Sequence, residues 1–380
     1  MANNDKVVVK NGKQSFFGKI GNSIASIPAG IIILIMGILI LAGNEKTNVQ
    51  NIKDVKELRD QVVDISSESI DSKYEGKLVA IHGKLDYNES VLKDEIFNVN
   101  VKAPAFERNV EVYQWVEDSE TKDDETTYTY SKEWKSEFVN SDDFHNSSDH
   151  RNPKDDEIKY TSERFQTEED LKVGAFKLNN DFKSVLSSDK AVAIPEDVIL
   201  PEGYVVYNKY ITNSVDTANP QVGDVRIYYE KADYTDVSVL GKQVGDTIEK
   251  YSSKNNRTYA ELYKGTKNST DMINSIESGN KFIKWFKRAL GTLLIVIGIG
   301  LILGPITTLI GYIPFLGNIV NSMIGVVSFL VGLIISLLVI AISWFVVRPV
   351  LSIILLVVIA GLIAGIIYLK KTKQETVKEK

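Results

Sequence analysis

The chain contains no cysteine in its 380 residues, which excludes a disulfide framework, a thiolate zinc site, a cysteine nucleophile and an iron–sulfur cluster. Histidine is scarce too. His82, His145 and His150 are the only three, and none forms the i, i+4 pair that a helical zinc site needs. A Gly-rich phosphate loop and a nucleophile elbow are also missing. The remaining shortage is local: between Ala289 and Leu369 the only charged residue is Arg348. About 20 apolar residues cross a bilayer as a helix, so this block holds three spans, at 289–310, 319–346 (centred on 323–345) and 350–369. The breaks are the turn-forming run 311–318 and the pair Arg348-Pro349. A fourth span stands alone at 24–42, longer than the apolar part of a signal peptide and without a small-residue cleavage site behind it, so an uncleaved anchor is expected.

The whole-chain averages, 44% hydrophobic and 25% charged, are those of an ordinary globular protein and conceal this division. Residues 45–280 carry 30 Lys and Arg against 47 Asp and Glu, a formal charge of −17. Binding phosphate requires clustered basic groups, so nucleic acid is excluded as a partner of this segment. The flanks are basic instead. Lys6, Lys10, Lys13 and Lys19 precede the first span and Lys370, Lys371 and Lys373 follow the last. The positive-inside rule then predicts cytoplasmic termini and a large domain on the opposite side.

The expected architecture is an α+β integral membrane protein. A cytoplasmic leader (1–23) and the first span (24–42) precede a mostly β ectodomain (43–280), followed by a basic interfacial segment (281–288), spans at 289–310, 319–346 and 350–369, and a basic cytoplasmic tail (370–380). Lys281, Lys284, Lys287 and Arg288 alternate with Phe282, Ile283, Trp285 and Phe286. That pattern fits either an interfacial helix snorkelling toward lipid phosphates or a plain basic anchor at a helix end. Trp285, Arg288, Trp344 and Arg348 are the residues expected at the membrane interface.

Within the ectodomain, residues 55–63 have apolar groups at helical spacing and 77–85 switch to a strand pattern. Residues 110–115 place Glu111, Tyr113 and Trp115 on one face, and 126–130 alternate Thr and Tyr before Trp134. A β-hairpin with a charged connector at 117–125 is predicted. An acidic loop (141–157) follows, then a short helix around 178–186 and strands at 204–210, 225–230 and 237–242. The runs LVAIHGKL and VSVLGKQV are alike, which suggests equivalent strands of one partly open barrel or of two related subdomains.

His145 and His150 lie among Asp142, Asp143, Asp149 and Asp155, but the spacing lacks the central Gly and closing Glu of an EF-hand, and a solvated acidic loop is the expectation. No cofactor and no enzymatic activity are expected. In the spans, the GxxxG pairs Gly300/Gly304 and Gly361/Gly365 are candidates for close helix packing. No Asp, Glu, Lys or His lies inside a span, which argues against active transport, although a pore lined by Ser, Thr and carbonyls stays open.

The runs 108–115 (RNVEVYQW), Tyr128-Thr129-Tyr130, Glu133-Trp134 and His150-Arg151-Asn152-Pro153 resemble the LUMA (transmembrane protein 43) family. The likeness continues at Asn44-Glu45, at 222–226 (VGDVR), at Trp344 and at Arg348-Pro349, covering roughly residues 15–370 with the same one-plus-three arrangement of spans. The resemblance implies a non-enzymatic membrane protein that self-associates and organises other membrane proteins, with an oligomeric channel or channel-modulating subunit as the alternative. Arg108, Tyr113, Trp115, Tyr128, Trp134, Asn152 and Pro153 have no nucleophile–base or metal-ligand pattern around them, so structural or partner-binding roles are expected of them. The partners implied are the lipid bilayer, further copies of the chain and other membrane proteins. The absence of cysteine and the Lys-, Asn- and Ile-rich composition look bacterial, which would mean the plasma membrane; an animal-like member would sit in the endoplasmic reticulum and inner nuclear membrane.

Overall fold

The computed structural model describes residues 5–10, 16–122, 125–311, 317–345 and 349–378. The chain divides into a soluble unit, Met1–Lys13 with Leu58–Met272, and a helical unit, Gln14–Glu57 with Ile273–Lys380.

The helical unit contains α1 (Phe16–Gln61), most of α3 (Ser269–Gly311), α4 (Gly317–Trp344) and α5 (Pro349–Lys378). Long apolar runs favour helix here even with Pro28 inside α1 and Pro305 inside α3, since a helix satisfies its backbone groups within a single segment in lipid. Ile24–Gln61, Ser269–Ile306 and Ile324–Trp344 are long and apolar enough to cross a membrane, and Pro349–Gly365 is a shorter apolar helix. Leu39, Ile342 and Val357 are each more than 60% exposed. Apolar faces of that extent mark a protein whose solvent is lipid. The helices are longer than their apolar stretches: the expected helix at 55–63 is the end of α1, and the basic segment 281–288 lies inside α3. Of the two expected breaks, residues 312–316 and Arg348 lie outside the described residues.

Glycine packing falls at other positions than the GxxxG pairs predicted. A Cβ on Gly30 would come 2.8 Å from the Gly298 carbonyl oxygen, and one on Gly37 2.8 Å from that of Gly291. The backbones of α1 and α3 therefore touch, with Leu41, Ile295 and Ile299 buried beside them. A Cβ on Gly361 or Gly365 would meet nothing within 4 Å, and one on Gly300 only Ser328 Oγ at 3.9 Å. Gly304 accepts a hydrogen bond from Thr308 Oγ1. Within the chain, Gly300, Gly361 and Gly365 are thus not points of close helix approach. The α1 glycines lie seven residues apart, outside a four-residue motif.

The soluble unit holds two main sheets. In the first, strand Ala105–Lys122 pairs antiparallel with Glu125–Lys135 as the predicted hairpin, and its other edge pairs with Val225–Lys231. The charged connector at 117–125 is mostly strand; β-branched Thr121 and Thr126 pair across it. Val110, Val112, Ile211, Val225 and Ile227 build the core under this sheet. Residues expected as one strand at 204–210 turn back on themselves, because Asn208 takes a left-handed φ of 54° between Val205–Tyr207 and Tyr210–Thr212; Asn tolerates that region better than most residues.

The second sheet closes. Leu78–Asp86 pairs with Asp236–Val244, which pairs with Thr247–Glu249, then Phe176–Leu178, Leu171–Val173 and back to Leu78–Asp86. The two similar runs are therefore neighbouring strands of one small barrel, with Val239 opposite Ile81. Gly241 is required here: its Cβ would stand 2.5 Å from Ile248 Cγ2 and 2.6 Å from the Glu249 carbonyl. The predicted short helix is α2 (Asn180–Ser184), whose Phe182 fills the barrel interior with Val79, Ile81, Val237 and Val239.

The leader supplies a strand. Asp5–Lys10 pairs antiparallel along the outer edge of Glu125–Lys135, in register from Asp5 opposite Tyr130 to Lys10 opposite Glu125. The segment expected as a leader, residues 1–23, thus contributes a strand to the first sheet.

Candidate functional site

The residues singled out in the ectodomain fall into two clusters, and three of the interfacial ones, Trp285, Arg288 and Trp344, join a third within the helical unit.

The first centres on Arg108. Strand alternation would put it on the buried face beside Phe106 and Val110, and its side chain is only 2% exposed. A buried cation is tolerated only when paired and hydrogen-bonded. Nη1 donates to Asp94 Oδ2 at 2.7 Å, Nη2 to Glu163 Oε2 at 2.8 Å, and Nε to the Thr161 carbonyl at 3.0 Å. Tyr229 donates to the same Asp94 oxygen at 2.8 Å. Its burial, and then that bond to Asp94, raise the phenol's pKa. Asp94 itself is 1% exposed.

The second cluster covers the half-exposed face of the hairpin. Glu111, Tyr113 and Trp115 do share it, and Trp134 packs on Tyr113 at 5.2 Å between ring centroids. Arg226, opposite Glu111 in the neighbouring strand, bonds that carboxylate through Nε at 2.5 Å and lies 4.5 Å from the Trp134 ring. Such stacking uses both the charge and the planarity of a guanidinium. Further along, Tyr130 is fully buried beneath His150, whose ring stacks on it at 3.6 Å and meets Trp115 edge-on at 4.6 Å. Tyr128 stacks on His145 at 4.1 Å.

Asn152 ties the loop to the hairpin. Its Oδ1 accepts from the Trp115 backbone N–H at 2.7 Å, and Nδ2 donates to the Trp115 and Val139 carbonyls, each at 3.0 Å. Pro153 follows at a half-buried position. The segment expected to be a solvated acidic loop is thus partly bonded to the hairpin: His145 N–H donates to Glu117 Oε2 at 2.7 Å, and Asn146 N–H to Tyr130 Oη at 3.0 Å. Tyr130 in turn donates to Glu117 at 2.7 Å. Burial first, and Glu117 second, push its phenol up to about 12. Among the described residues no three His, Asp or Glu side chains are grouped so that they could share a metal ion.

The third cluster was not foreseen as one. Glu45, just past the first apolar stretch, is 0% exposed. Arg288 donates to it through Nε at 2.6 Å and Nη2 at 2.7 Å, and Trp344 Nε1–H donates at 2.5 Å. The guanidinium also lies 4.8 Å from the Trp285 ring and 5.4 Å from that of Trp344. Trp285 is 63% exposed, whereas Trp344 is 8% exposed. Arg288 and Trp344 therefore turn inward to a buried carboxylate. Three helices, α1, α3 and α4, meet through this node. Arg348 lies outside the described residues.

Sequence reasoning missed Glu45, Asp94 and Glu163 as partners. The available signal was Arg108 itself, a cation on the apolar face of a strand that had to find an anion somewhere.

A four-helix membrane unit carrying a β ectodomain with these clusters defines an integral, multi-pass membrane protein. Residues 112–349, more than half of the chain, match the family profile described as transmembrane protein 43, and the chain belongs to that family. It is 26% identical over 395 aligned positions to transmembrane protein 43 of Homo sapiens, covering 97% of this chain and 95% of that protein. The Pongo abelii protein is 25% identical with the same coverage. The Drosophila melanogaster homolog is 25% identical over 287 positions, 71% of this chain and 74% of that protein. These relatives are animal proteins and lend no support to a bacterial origin. No solved structure matches.

Proposed function

We propose that this protein is a non-enzymatic scaffold that organises membrane protein complexes, presenting its β ectodomain from a self-associating helical anchor. The observation that carries this reading is how the family-like residues are used. Arg108 and Asn152 are bonded into the fold, and Tyr113, Trp115, Tyr128 and Trp134 stack into the half-exposed hairpin face. A rigid aromatic and cationic surface of that kind suits protein recognition. The exposed Gly361 and Gly365 offer a helix face to a second copy, and contacts between small residues are how such faces pack in lipid. The basic tail supports a cytoplasmic C-terminus and an ectodomain on the lumenal or extracellular side. The membrane would be the endoplasmic reticulum or inner nuclear membrane in an animal cell and the plasma membrane in a bacterium.

Purification in mild detergent, crosslinking in native membranes and planar-bilayer recording test this together. Crosslinked oligomers and co-purifying membrane proteins without conductance are expected. Reproducible single-channel currents, absent from a control protein, would replace the scaffold with the channel alternative. A protease applied to the ectodomain side should spare a tag behind residue 380. A tag ahead of Asp5 tests the leader: its protection supports the cytoplasmic leader, and its cleavage supports the strand pairing.

A further inference from the structure

The first sheet ends on a free edge. Its strand order closes on Val205–Tyr207, and among the described residues nothing pairs with the outer side of that strand. Tyr207 faces Tyr210 across a two-residue turn, and Val205 faces Thr212. Ladder hydrogen bonds alternate along an antiparallel pair, so Val205 and Tyr207 bond inward while the Val206 N–H and C=O point out of the edge. An open edge is a template for another strand unless charge or proline blunts it. At the opposite end of the sheet Asp5–Lys10 brings Asp5 and Lys6. Val205-Val206-Tyr207 has neither a charge nor a proline.

The side chains are cut off in the same place. Val110, Ile227, Ile211 and Val206 stand opposite one another in four successive strands. The first three are 4%, 0% and 0% exposed, whereas Val206 is 42% exposed. The apolar row stops only because the sheet does. On the other face Val205 and Tyr207 are 53% and 47% exposed.

Charge selects the strand that continues the row. Residues 45–280 carry a formal charge of −17, so two such domains repel over most of their surface. This edge is flanked instead by two exposed groups of opposite sign, Glu202 before it and Lys209 after it. Lys209 lies over the rings of Tyr210 and Tyr228 at 5.3 and 5.7 Å, and among the described residues neither group has an ion-pair partner. An antiparallel copy of the same strand, centred on Val206, sets Val205 opposite Tyr207 and Gly203 opposite Lys209. Each Glu202 then approaches the other copy's Lys209, and the apolar row runs on into its own image.

We propose that Val205–Tyr207 is a two-fold seam between two copies of the ectodomain, paired antiparallel about Val206 so that their first sheets join. The seam rests on the self-association reading and says where the ectodomains meet. Three residues a side make a smaller contact than the roughly 800 Å² per partner of a self-standing interface. Anchoring both copies in one bilayer offsets this by raising their effective concentration.

Because the chain has no cysteine, one introduced thiol reports one position. Opposed residues that exchange hydrogen bonds have Cα atoms about 5.5 Å apart, within disulfide range. Full-length Val206→Cys, oxidised in native membranes, should therefore form disulfide dimers at least fivefold above Val215→Cys, whose position is fully exposed outside the strand. Val205→Cys and Tyr207→Cys, co-expressed, should crosslink at least threefold more than either alone, since each faces the other across the seam. Adding Val206→Pro to that pair should cut the crosslink at least fivefold. The melting temperature should hold, because no strand of the same chain uses that N–H. A Val206→Cys yield no higher than that of Val215→Cys, a mixed yield no better than either variant alone, or undiminished crosslinking with Val206→Pro would each overturn the seam. Dimers still captured by an amine-reactive crosslinker would then leave self-association standing and remove only the seam, and monomer alone would remove both.

Discussion

Glu45 and Arg288, separated by 243 positions in the chain, form a two-point ion pair with both contacts under 2.8 Å, and the carboxylate has no exposure to solvent. Breaking one side of such a pair leaves the other charge buried and uncompensated, a loss of roughly 3–5 kcal/mol. Glu45→Gln should therefore lower the thermal unfolding temperature of the purified protein. Glu45→Gln with Arg288→Met, which removes both charges, should recover part of it. A double variant no better than the single one would mean that the pair does not stabilise the helices as argued.

Arg108 and Asp94 make the equivalent test in the soluble unit. Arg108→Met strands Asp94 beneath the sheet and is expected to cost about 3–5 kcal/mol. Asp94→Asn added to Arg108→Met should soften the defect, because a neutral amide can still accept from Tyr229. Denaturant titration followed by tryptophan fluorescence reads both. A single variant within 1 kcal/mol of wild type would contradict the buried geometry.

The glycines give opposite expectations for two pairs of substitutions. Gly30→Ile with Gly37→Ile would drive side chains into the Gly298 and Gly291 carbonyls, so α1 should separate from α3, seen as increased proteolysis and a lower melting temperature while membrane insertion persists. Gly361→Ile with Gly365→Ile meets open space within the chain. Its monomer stability should be unchanged, and any effect should appear only in crosslinking between copies. The reverse pattern would restore the sequence-based assignment.

Tyr130 predicts an alkaline limit. Its folded pKa is about 12, while an unfolded tyrosine titrates near 10. The folded value is the raised one, so the stability it contributes is complete below pH 10 and is lost as pH climbs through 12. Tyr229 is shifted in the same direction by burial and then Asp94. Melting temperatures measured from pH 8 to 11.5 should fall above pH 10. Tyr130→Phe should start lower, having lost its bonds to Glu117 and Asn146, and decline less steeply. An equal or steeper decline would remove Tyr130 as a cause.

What the sequence determined by itself was set by local pattern. Length without charge identifies the apolar helices, and the alternation that puts Glu111, Tyr113 and Trp115 on one face, with Thr and Tyr alternating at 126–130, identifies a hairpin. The likeness of LVAIHGKL and VSVLGKQV pointed to related strands. The tertiary structure decided which partners these elements meet. Whether Asp5–Lys10 pairs with Glu125–Lys135, which glycines face a backbone, and that Glu45 receives Arg288 and Trp344 all depend on groups far apart in the chain. Neither helical nor strand periodicity carries information across such separations. A buried charge has to be neutralised, and a glycine next to a carbonyl has to stay small, but the sequence shows only that such a requirement exists. Folding brings the distant segment that meets it within reach.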